Sequence, residues 1–483
     1  MPQRPNFLLI TTDQQRGDAL GINGNDVLQT PNLDYLAASG VNFTRGYSTC
    51  PVCIPARRSL LTGLHPATHG VRKFQEGLEL DPPFTLPGLL GKAGYQTQLI
   101  GKMHTFPQRK RFGFDNMIRS ETENHRPDSP PMAVNDYVHW LQEKGISTPP
   151  QMHGISGNSR LSRPHYLDET LHHNTWLTNE AVRFMTETRD PSCPWFLHLS
   201  YYTPHPPFTP PAMYYERYAR IAERMPRPVV GEWVPQWDRV PKGINPEDAF
   251  GPFEPEAIRN ATVGYYGLIN HVDDCIGRVL EAYYRYGSNR GGDPMYIGFT
   301  SDHGEMLGDH QLFRKSLPYE GSAHVPFFLS GRNVDLPKKA SDALACLEDI
   351  APTFLELAGV EPPAPMVSGP NGRSLAAALR GEACTPREVL HGECGGHGLD
   401  NHFLVTGRYK YIWLVDTDEE QVFDLETDPR ETRDLSGDAT LLAPLRERMA
   451  EHMTTRSHEV YDTRALRPLE NQPPSHFWRG RRP

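Results

Sequence analysis

The stretch NFLLITTDQQR at residues 6–16 places an apolar run directly before a group of polar, potentially reactive side chains. Near-continuous apolar runs of about four to eight residues are typical of strands that are buried on both faces of a mostly parallel sheet. The same arrangement recurs along the chain, in YQTQLI (95–100) followed by GKMH, WFLHLSY (195–201) followed by TPH at 203–205, and MYIGFT (295–300) followed by SDHG.

The polar groups that follow these runs are expected to meet in one site, because the ligand crevice of an open α/β sheet lies beyond the carboxyl ends of its strands. Apolar residues at helical spacing predict a long core helix over Gly264–Tyr286 and shorter helices over Leu33–Ser39 and Leu347–Ala358. Proline-rich stretches at 126–164 and 204–255 are interpreted as loops that line the pocket. The predicted fold is an α/β protein with a large mixed, mostly parallel sheet flanked by helices.

The character of the chain changes after about residue 384. Strand-like pieces and one helical stretch follow, which indicate a small α+β subdomain. We therefore divide the chain into a large domain at 1–384 and a C-terminal α+β subdomain with an extended tail at 385–483. The predicted elements of the subdomain are strands at 402–406, 409–415 and 421–425 and a helix at 441–452.

The composition of the 483-residue chain excludes several classes of protein. Lys and Arg number 49 against 59 Asp and Glu, and the net charge of −10 offers no general electrostatic surface for nucleic acid or an anionic membrane. No early apolar run approaches the roughly 20 residues of a membrane span, and no signal peptide precedes the first strand. We expect a cytoplasmic protein, or a periplasmic one if a leader was removed, and leave homo-oligomer formation open. The 7 cysteines are an odd number and thinly spread, which argues against a disulfide framework.

The segment CPVCIPARRSLLTG at residues 50–63 places Cys53 at the predicted start of a helix, with Pro55 in its first turn. The amino terminus of a helix stabilises negative charge, and Arg57 adds a cation one turn further on. On its own, a cysteine before a helix is more often a small buried residue than a nucleophile. Cys50 is interpreted in that way.

Residues 53–57, CIPAR, followed by LTG at 61–63, resemble the Cys-x-Pro-x-Arg signature of the type I sulfatases. The resemblance implies the fold of the alkaline phosphatase superfamily and a sulfuric ester hydrolase, with the sulfatase catalytic domain at 1–384. In that family the cysteine is oxidised to formylglycine (3-oxoalanine) by a formylglycine-generating enzyme. The likeness extends from Asn6 to about Leu435 and includes the segments 30–34, 93–95, 101–104 and 423–429.

The same resemblance implies a metal site formed by Asp13, Gln14, Asp302 and His303. Ligands dominated by oxygen atoms favour a hard cation, so Ca²⁺ is expected, with Mg²⁺ or Mn²⁺ as alternatives. Gln14 departs from the most common family pattern, which has a second Asp there, and His303 replaces the Asn of many members. The loss of one carboxylate lowers the charge of the site, and we expect it to weaken metal binding or to shift the preferred ion.

The family mechanism, carried over to this sequence, implies that formylglycine at position 53 is hydrated and that one of its hydroxyl groups attacks sulfur in line. Loss of a proton from the second hydroxyl group, with His104 as the implied base, then expels sulfate. Lys102 and Lys315 are expected to hold the sulfate oxygens. Arg57 is expected to support the hydrated aldehyde and the metal ligands.

The leaving oxygen needs a proton donor, and the resemblance implies His205 for this role, with Lys315 as a second candidate. His69 and His310 lie near motif segments and are interpreted as candidate substrate contacts. Arg314 is the alternative to Lys315 as the cation in its segment. The remaining histidines are expected to be surface or packing residues.

Two alternatives to a sulfatase stay open at this point. A phosphonate monoester or phosphodiester hydrolase of the same superfamily would share the oxidised cysteine and the Gln14 ligand, but Lys102 and His104 argue against it. A non-catalytic metal-binding protein with the same fold would lack formylglycine. The expected substrate is a small-molecule or oligosaccharide sulfate ester, with a sulfated sugar as the first choice. Candidate stacking residues for a sugar ring are Trp233, Trp237, Tyr214 and Tyr215.

Overall fold

The computed structural model of the protein describes residues 4–121, 135–146, 155–234, 245–289, 291–383, 385–395, 400–453, 461–462 and 466–468. Within these ranges the chain builds one large sheet with helices around it, and a smaller antiparallel sheet follows towards the C-terminus. The predicted α/β class with a C-terminal α+β part is confirmed.

The large sheet contains eight strands, in the chain order β1 (Asn6–Asp13), β2 (Val41–Tyr47), β3 (Gln96–Gly101), β4 (Asn116–Arg119), β5 (Trp195–Pro204), β6 (Met295–Ser301), β7 (Phe327–Arg332) and β8 (Lys339–Cys346). Across the sheet they are arranged as β4-β3-β5-β1-β6-β7-β2-β8. Neighbouring strands are parallel except where β7 pairs with β6 and β2. The sheet is therefore mixed but mostly parallel, and it contains all four strands that the apolar runs predict.

Strand β1 lies inside the sheet because both faces of its sequence are apolar. Phe7 and Leu9 belong to one hydrophobic core, whereas Leu8 and Ile10 belong to a second core on the opposite face. All four side chains are buried, and Ile10 pairs with Leu199 of β5. A strand covered on both faces needs no polar residue until its end, so the polar residues after β1 lie at the carboxyl edge of the sheet.

Helices cover both faces of this sheet. None of the helices in the described ranges is both long enough and apolar enough to cross a bilayer. The described α-helices are α1 (Pro31–Ala38), α2 (Cys53–Thr62), α3 (Pro66–His69), α4 (Leu86–Lys92), α5 (Asp136–Glu143), α6 (His173–Arg183), α7 (Ala212–Ala219), α8 (Pro255–Tyr286), α9 (Glu320–Ala323), α10 (Ile350–Leu357), α11 (Ala376–Leu379) and α12 (Ala439–Met453).

The three helices predicted from apolar spacing are confirmed, with changes at their ends. Helix α8 begins at Pro255 rather than Gly264, because proline suits the first turn of a helix and Glu256 complements its positive end. Those first turns carry polar residues and so extend the helix beyond its apolar stripe. The segment 347–358 is divided into a short 3-10 turn, Leu347–Asp349, followed by α10.

The prediction of loops throughout the two proline-rich stretches is wrong in part, since α5 and α7 lie within them. Helix α7 follows Pro211, which precedes its first turn, and it buries Tyr214 and Tyr218. Helix α5 is capped by the side chain of Asn135, which accepts from the backbone N–H of Val138. Both helices are short, so the surrounding prolines concealed their apolar spacing.

The C-terminal part consists of a four-stranded antiparallel sheet and α12. The three predicted strands and the predicted helix are confirmed, and a further strand, β9, was missed because LHGEC contains few strand-favouring residues. The division at 384/385 stays a prediction, and most of the predicted tail lies outside the described residues. The strands are β9 (Leu390–Cys394), β10 (Asn401–Val405), β11 (Tyr409–Leu414) and β12 (Glu419–Asp424), and a two-stranded pair, β13 (Tyr461–Asp462) and β14 (Arg467–Pro468), follows.

Buried histidines predict that acid destabilises the fold. Burial, reinforced by Arg57, lowers the pKa of His198 from 6.5 to about 3, and burial also lowers the pKa of His271 to about 3. Below about pH 6.5 the unfolded chain binds protons that these folded groups do not, so the free energy of unfolding decreases as the pH falls from about 6.5 towards about 3. Urea unfolding across this pH range measures the decrease.

A His271→Gln variant removes one of these groups, so its stability is expected to fall less steeply with acidification than that of the unmodified chain. His139→Gln is the matched control, because the His139 side chain is exposed in the folded chain. Equal slopes for all three proteins would contradict this explanation.

Candidate active site

The polar groups that follow the four predicted strands meet at one edge of the sheet, as the sequence predicts. Asp13 is the last residue of β1, and Lys102 directly follows β3. His205 directly follows β5, and Asp302 directly follows β6. Cys53 is the first residue of α2, so its side chain lies at the positive end of that helix. These five side chains are all buried.

Arg57 joins the two carboxylates of the site. Its Nη2 lies 3.0 Å from Asp13 Oδ2, and its Nε lies 2.9 Å from Asp302 Oδ2. The remaining nitrogen, Nη1, donates to the carbonyl of Lys102 at 3.0 Å and to Ser200 Oγ at 2.9 Å. Every arm of the guanidinium group is therefore used, which fixes the positions of both carboxylates.

Asp13, Cys53, Asp302 and His303 place one potential ligand atom each within 4.8 Å of one another. His303 Nε2 lies 3.6 Å from Asp13 Oδ1, 3.5 Å from Asp302 Oδ1 and 3.2 Å from Cys53 Sγ. Its Nδ1 donates to the carbonyl of Gly304 at 3.0 Å, so Nε2 is the ring nitrogen that faces the carboxylates. This is a candidate metal site with oxygen and nitrogen ligands.

Gln14, the fourth predicted ligand, lies beside this cluster. Its Oε1 accepts from Lys315 Nζ at 2.8 Å, and Lys315 Nζ is also 3.2 Å from Cys53 Sγ. The backbone of Gln14 has a φ of 72°, which is uncommon for a residue with a side chain. Tyr265 holds this turn by donating its hydroxyl to the Gln14 carbonyl at 2.8 Å, and the Gln14 N–H donates to Asp302 Oδ1 at 3.1 Å.

Cations dominate the surroundings of Cys53. Burial on its own would raise the pKa of the Cys53 thiol, but the charges of Lys102, Lys315 and His303 outweigh burial and hold it well below its ordinary value. Lys102 is buried and donates to Asp13 Oδ2, and this carboxylate and Cys53 raise the pKa of Lys102 despite burial. The site is therefore suited to a negatively charged group next to the residue 53 side chain.

His104 lies in a turn that a carboxylate supports. Its backbone has a φ of 54°, and its N–H donates to Glu121 Oε2 at 3.0 Å. Arg119 pairs with Glu121, and the Glu121 pKa is lowered to about 2, because Arg119 and His104 outweigh its burial. The His104 side chain also contributes to the lowered pKa of the Cys53 thiol, so the two side chains lie near each other. Phe74 meets the His104 ring edge-on at 5.6 Å.

His205 is buried with a defined ring orientation. Its Nδ1 lies 2.8 Å from the carbonyl of Pro206 and 2.9 Å from the hydroxyl of Tyr202. The carbonyl can only accept, so Nδ1 carries the proton and Nε2 is the atom left for the site. Burial, reinforced by the charge of Lys315, lowers the pKa of His205 to about 4. The free site therefore holds His205 neutral at neutral pH.

The two other predicted histidines have partners away from this cluster. His69 Nε2 lies 3.2 Å from Ser59 Oγ on α2. His310 Nδ1 accepts from the N–H of Gly231 at 3.1 Å, and its ring packs against Trp233 at 4.8 Å. Their assignment as substrate contacts stays a prediction.

The candidate stacking residues are used in packing where the structure describes them. Trp233 stacks on Tyr319 at 4.7 Å and donates Nε1 to the Glu431 carbonyl. Tyr214 donates its hydroxyl to Asp274, and Tyr215 donates to Asn260. Trp237 lies outside the described residues. These contacts favour structural roles for Trp233 and the two tyrosines.

Sequence reasoning missed several residues that shape the site. Glu305 accepts from Gln14, and it could have been found because it directly extends the SDHG motif. Glu121 follows β4, a strand that the sequence analysis did not predict, so no motif marked it. Ser200 and Tyr202 lie within β5, where Ser200 was hidden in the apolar run and Tyr202 directly follows that run.

Comparisons with known proteins identify the family of the chain. Residues 5–360 match the Sulfatase family model, and residues 308–459 match the model for the C-terminal part of N-sulphoglucosamine sulphohydrolase. The chain belongs to the sulfatase family. An arylsulfatase from Clostridium perfringens (strain 13 / Type A) is 38% identical over 443 residues, which cover 89% of this chain and 90% of that protein. The predicted family is thus confirmed, and the protein is a sulfatase enzyme that acts on sulfate esters.

Two solved structures share the fold of this sulfatase family member. The phosphonate monoester hydrolase of Agrobacterium radiobacter has a TM-score of 0.75 and 24% identity, covering 97% of this chain and all (100%) of that one. A protein solved in complex with its substrate D-glucosamine-2-N,6-O-disulfate has a TM-score of 0.71 and 20% identity, covering 94% and 97% of the two chains. The alkaline phosphatase-like fold is thereby confirmed.

The bridge through Arg57 predicts a large effect on stability. Arg57→Ala leaves two buried carboxylates without their shared cation, so the free energy of unfolding should fall by about 3–5 kcal/mol. The measurement is urea unfolding in the presence of EDTA, so that no added metal replaces the lost charge. Arg220→Ala is the control, because Arg220 and Glu216 form a mostly exposed pair worth at most about 0.5 kcal/mol. Similar losses for the two variants would contradict a central role for Arg57.

Proposed function

We propose that the enzyme hydrolyses a carbohydrate sulfate ester with a formylglycine made from Cys53 and one divalent metal ion. The observation that carries this proposal is the position of Cys53, which lies 3.2 Å from both His303 Nε2 and Lys315 Nζ. A nucleophile placed between metal ligands and a lysine can attack an anion that those cations hold. A formylglycine-generating enzyme is the partner that would modify Cys53.

The donor atoms around Cys53 support a hard cation. Asp13, Asp302 and Gln14 offer oxygen atoms, and His303 offers Nε2. We propose that these residues hold Ca²⁺, with Mg²⁺ or Mn²⁺ as alternatives, since all three ions bind oxygen-rich sites. When bound, the ion would lower the pKa of the nucleophile and polarise a sulfate oxygen, while formylglycine would supply a hydroxyl nucleophile and a second hydroxyl for release of sulfate.

The residues of the chain then have separate tasks. Lys102 and Lys315 hold the sulfate oxygens as point charges. Lys315 Nζ lies 3.2 Å from Cys53 Sγ, and the charge of Lys102 lowers the pKa of the Cys53 thiol. Arg57 fixes Asp13 and Asp302 and takes no part in proton transfer, because its arms are all bonded. His104, beside Cys53, accepts the proton during release of sulfate.

We propose His205 as the proton donor to the leaving oxygen. The lowered pKa of His205 has burial and the Lys315 charge as its main causes. A bound sulfate ester is an anion and offsets the Lys315 charge, so it favours the protonated imidazole when substrate is present. Because Nδ1 is committed to the Pro206 carbonyl, the added proton lies on Nε2, which is the atom left to face the leaving group.

The choice of substrate depends on the residues that surround the alcohol half of the sulfate ester. The protein solved with D-glucosamine-2-N,6-O-disulfate supports a sulfated sugar, and the arylsulfatase relative supports an aromatic sulfate as a model substrate. Half-buried Phe74 offers an apolar surface beside His104 for either ring. The phosphonate monoester hydrolase neighbour shares the fold, so a phosphonate monoester is the second substrate to test.

The proposal predicts different outcomes at the two cysteines near the start of α2. Cys53→Ala should abolish sulfate release, because it removes the nucleophile, whereas Cys50→Ala should keep most activity. Cys50 is the matched control, since it is equally buried and its sulfur contacts the Arg72 carbonyl at 3.5 Å. Sulfate release from sulfated monosaccharides, an aryl sulfate and a phosphonate monoester is the measurement.

Peptide mass spectrometry of the Cys53 peptide must accompany this assay, because conversion to formylglycine replaces sulfur by oxygen with loss of two hydrogens. Equal activity of Cys53→Ala and of the unsubstituted chain whose conversion to formylglycine has been verified would refute the proposed nucleophile. Conversion without activity on any of these esters would instead support a binding protein, and preference for the phosphonate would support the alternative hydrolase.

His205→Ala is expected to slow alkyl sulfates more than nitrophenyl sulfate. A sugar hydroxyl leaves with difficulty unless it is protonated, whereas a nitrophenol of low pKa needs little help. The difference between the two substrates should reach about 10²-fold in kcat/KM for aldehyde-bearing enzyme. An equal loss on both substrates would mean that His205 binds sulfate or shapes the pocket, and that Lys315 is the better candidate donor.

A further inference from the structure

Glu305 is a buried carboxylate that contacts the candidate metal site without being one of its proposed ligands. Its Oε2 accepts a hydrogen bond from Gln14 Nε2, and it is 1% exposed. Its other oxygen, Oε1, accepts from the backbone N–H of Leu307 at 2.9 Å and from the N–H of Arg314. Both oxygens are therefore occupied, one by Gln14 and the other by the loop from Leu307 to Arg314.

The contact with Gln14 determines which end of the amide faces the metal ligands. An amide has a donor end and an acceptor end, and a carboxylate can bond only the donor end. With Nε2 held by Glu305, the acceptor Oε1 points to Lys315, beside Cys53. A reversed amide would present two N–H groups to a cation, which no cation tolerates as a ligand.

Glu305 also replaces charge that Gln14 lacks. Asp13 and Asp302 are the carboxylates among the proposed ligands, and Gln14 is neutral. The Glu305 carboxylate lies one hydrogen bond behind Gln14, in a buried setting where charges act strongly. Arg16 lies close by, but it donates to the backbone carbonyl of Glu305 at 3.2 Å and pairs with Asp18 and Asp309.

We propose that Glu305 is a positioning residue that orients the Gln14 amide oxygen towards the metal and supplies the negative charge missing from the ligand set. This inference rests on the proposed metal site. Groups behind metal ligands typically change metal affinity by about 10–100-fold when they are removed. Glu305 also holds the loop from Leu307 to Arg314, so a test must separate orientation from folding.

Exchanging the side-chain types of Gln14 and Glu305 separates an effect on amide orientation from an effect on folding. In Glu305→Gln, two amide nitrogens face each other, so Gln14 must turn its oxygen away from the metal ligands. In Gln14→Glu, two carboxylates face each other and repel. The double variant Gln14→Glu/Glu305→Gln restores one donor and one acceptor at the contact and keeps the total charge. In every variant the Oε1 atom of residue 305 can still accept from Leu307 and Arg314.

Ca²⁺ affinity is measured by isothermal titration calorimetry on the full chain, with unfolding in EDTA as the measure of stability. Glu305→Gln should bind Ca²⁺ about 10–100-fold more weakly, and the double variant, which again has one carboxylate at this contact, should recover most of this loss. Glu348→Gln is the control, because Glu348 is an equally buried carboxylate that bonds Thr49. It should bind Ca²⁺ as the unmodified chain does.

The other outcomes are distinguishable. If the unmodified chain binds none of Ca²⁺, Mg²⁺ or Mn²⁺, the proposed metal site fails and this inference fails with it. If the unmodified chain binds Ca²⁺ and Glu305→Gln binds it equally well, only this inference is overturned. If the double variant binds Ca²⁺ as weakly as Glu305→Gln does and is equally destabilised in EDTA, Glu305 acts in folding of the loop, which also overturns it.

Discussion

The guanidinium group of Arg57 contacts the ends of four neighbouring strands of the large sheet. It pairs with Asp13 of β1 and with Asp302 after β6, and it donates to the Lys102 carbonyl after β3 and to Ser200 of β5. Strands β3, β5, β1 and β6 are consecutive across the sheet, and Arg57 itself comes from α2, which begins at Cys53. Asp13 and Asp302 are both buried, and without the cation that they share the two carboxylates would repel each other. The position of Cys53 relative to the sheet therefore depends on this one side chain.

The charges around Cys53 depend on one another in the same way. Asp13 accepts from both Arg57 and Lys102, so each cation is stabilised by a carboxylate that the other also uses. Removing one member leaves another buried without its partner, and effects of substitutions at such contacts do not add. Lys315 approaches Cys53 from the loop after β6, which ties that loop to the same network. The site is thus an arrangement of mutually dependent charges that leaves positive potential for an anionic substrate.

The sequence predicts the sheet and the site best where one short pattern indicates both a strand and the site residues at its end. An apolar run followed at once by Asp13, or by Asp302 and His303, identifies a buried strand and the residues at its end. The signature around Cys53 identifies the family. The hydrophobic pattern alone cannot do so, because it does not distinguish a nucleophile from a small core residue. Helices α5 and α7 and strand β9 were missed because prolines or polar residues obscure their short patterns. Glu305 could have been noticed because it extends the SDHG motif, but its partner and that of Glu121 could not be assigned, since both are set by how loops fold over the strand ends.

Those loops contain the backbone conformations that a sequence motif does not specify. Gln14, His104 and Arg314 have φ values of 72°, 54° and 72°, in a region that costs a residue with a side chain about 1–2 kcal/mol. Each is held there by a group from another segment. The Tyr265 hydroxyl bonds the Gln14 carbonyl, Glu121 bonds the His104 N–H, and Glu305 bonds the Arg314 N–H. The motif residues form the candidate site, whereas these supporting residues determine their orientation. Because the supporting residues lie outside the signatures, two enzymes with the same motifs can differ in metal affinity and in substrate choice.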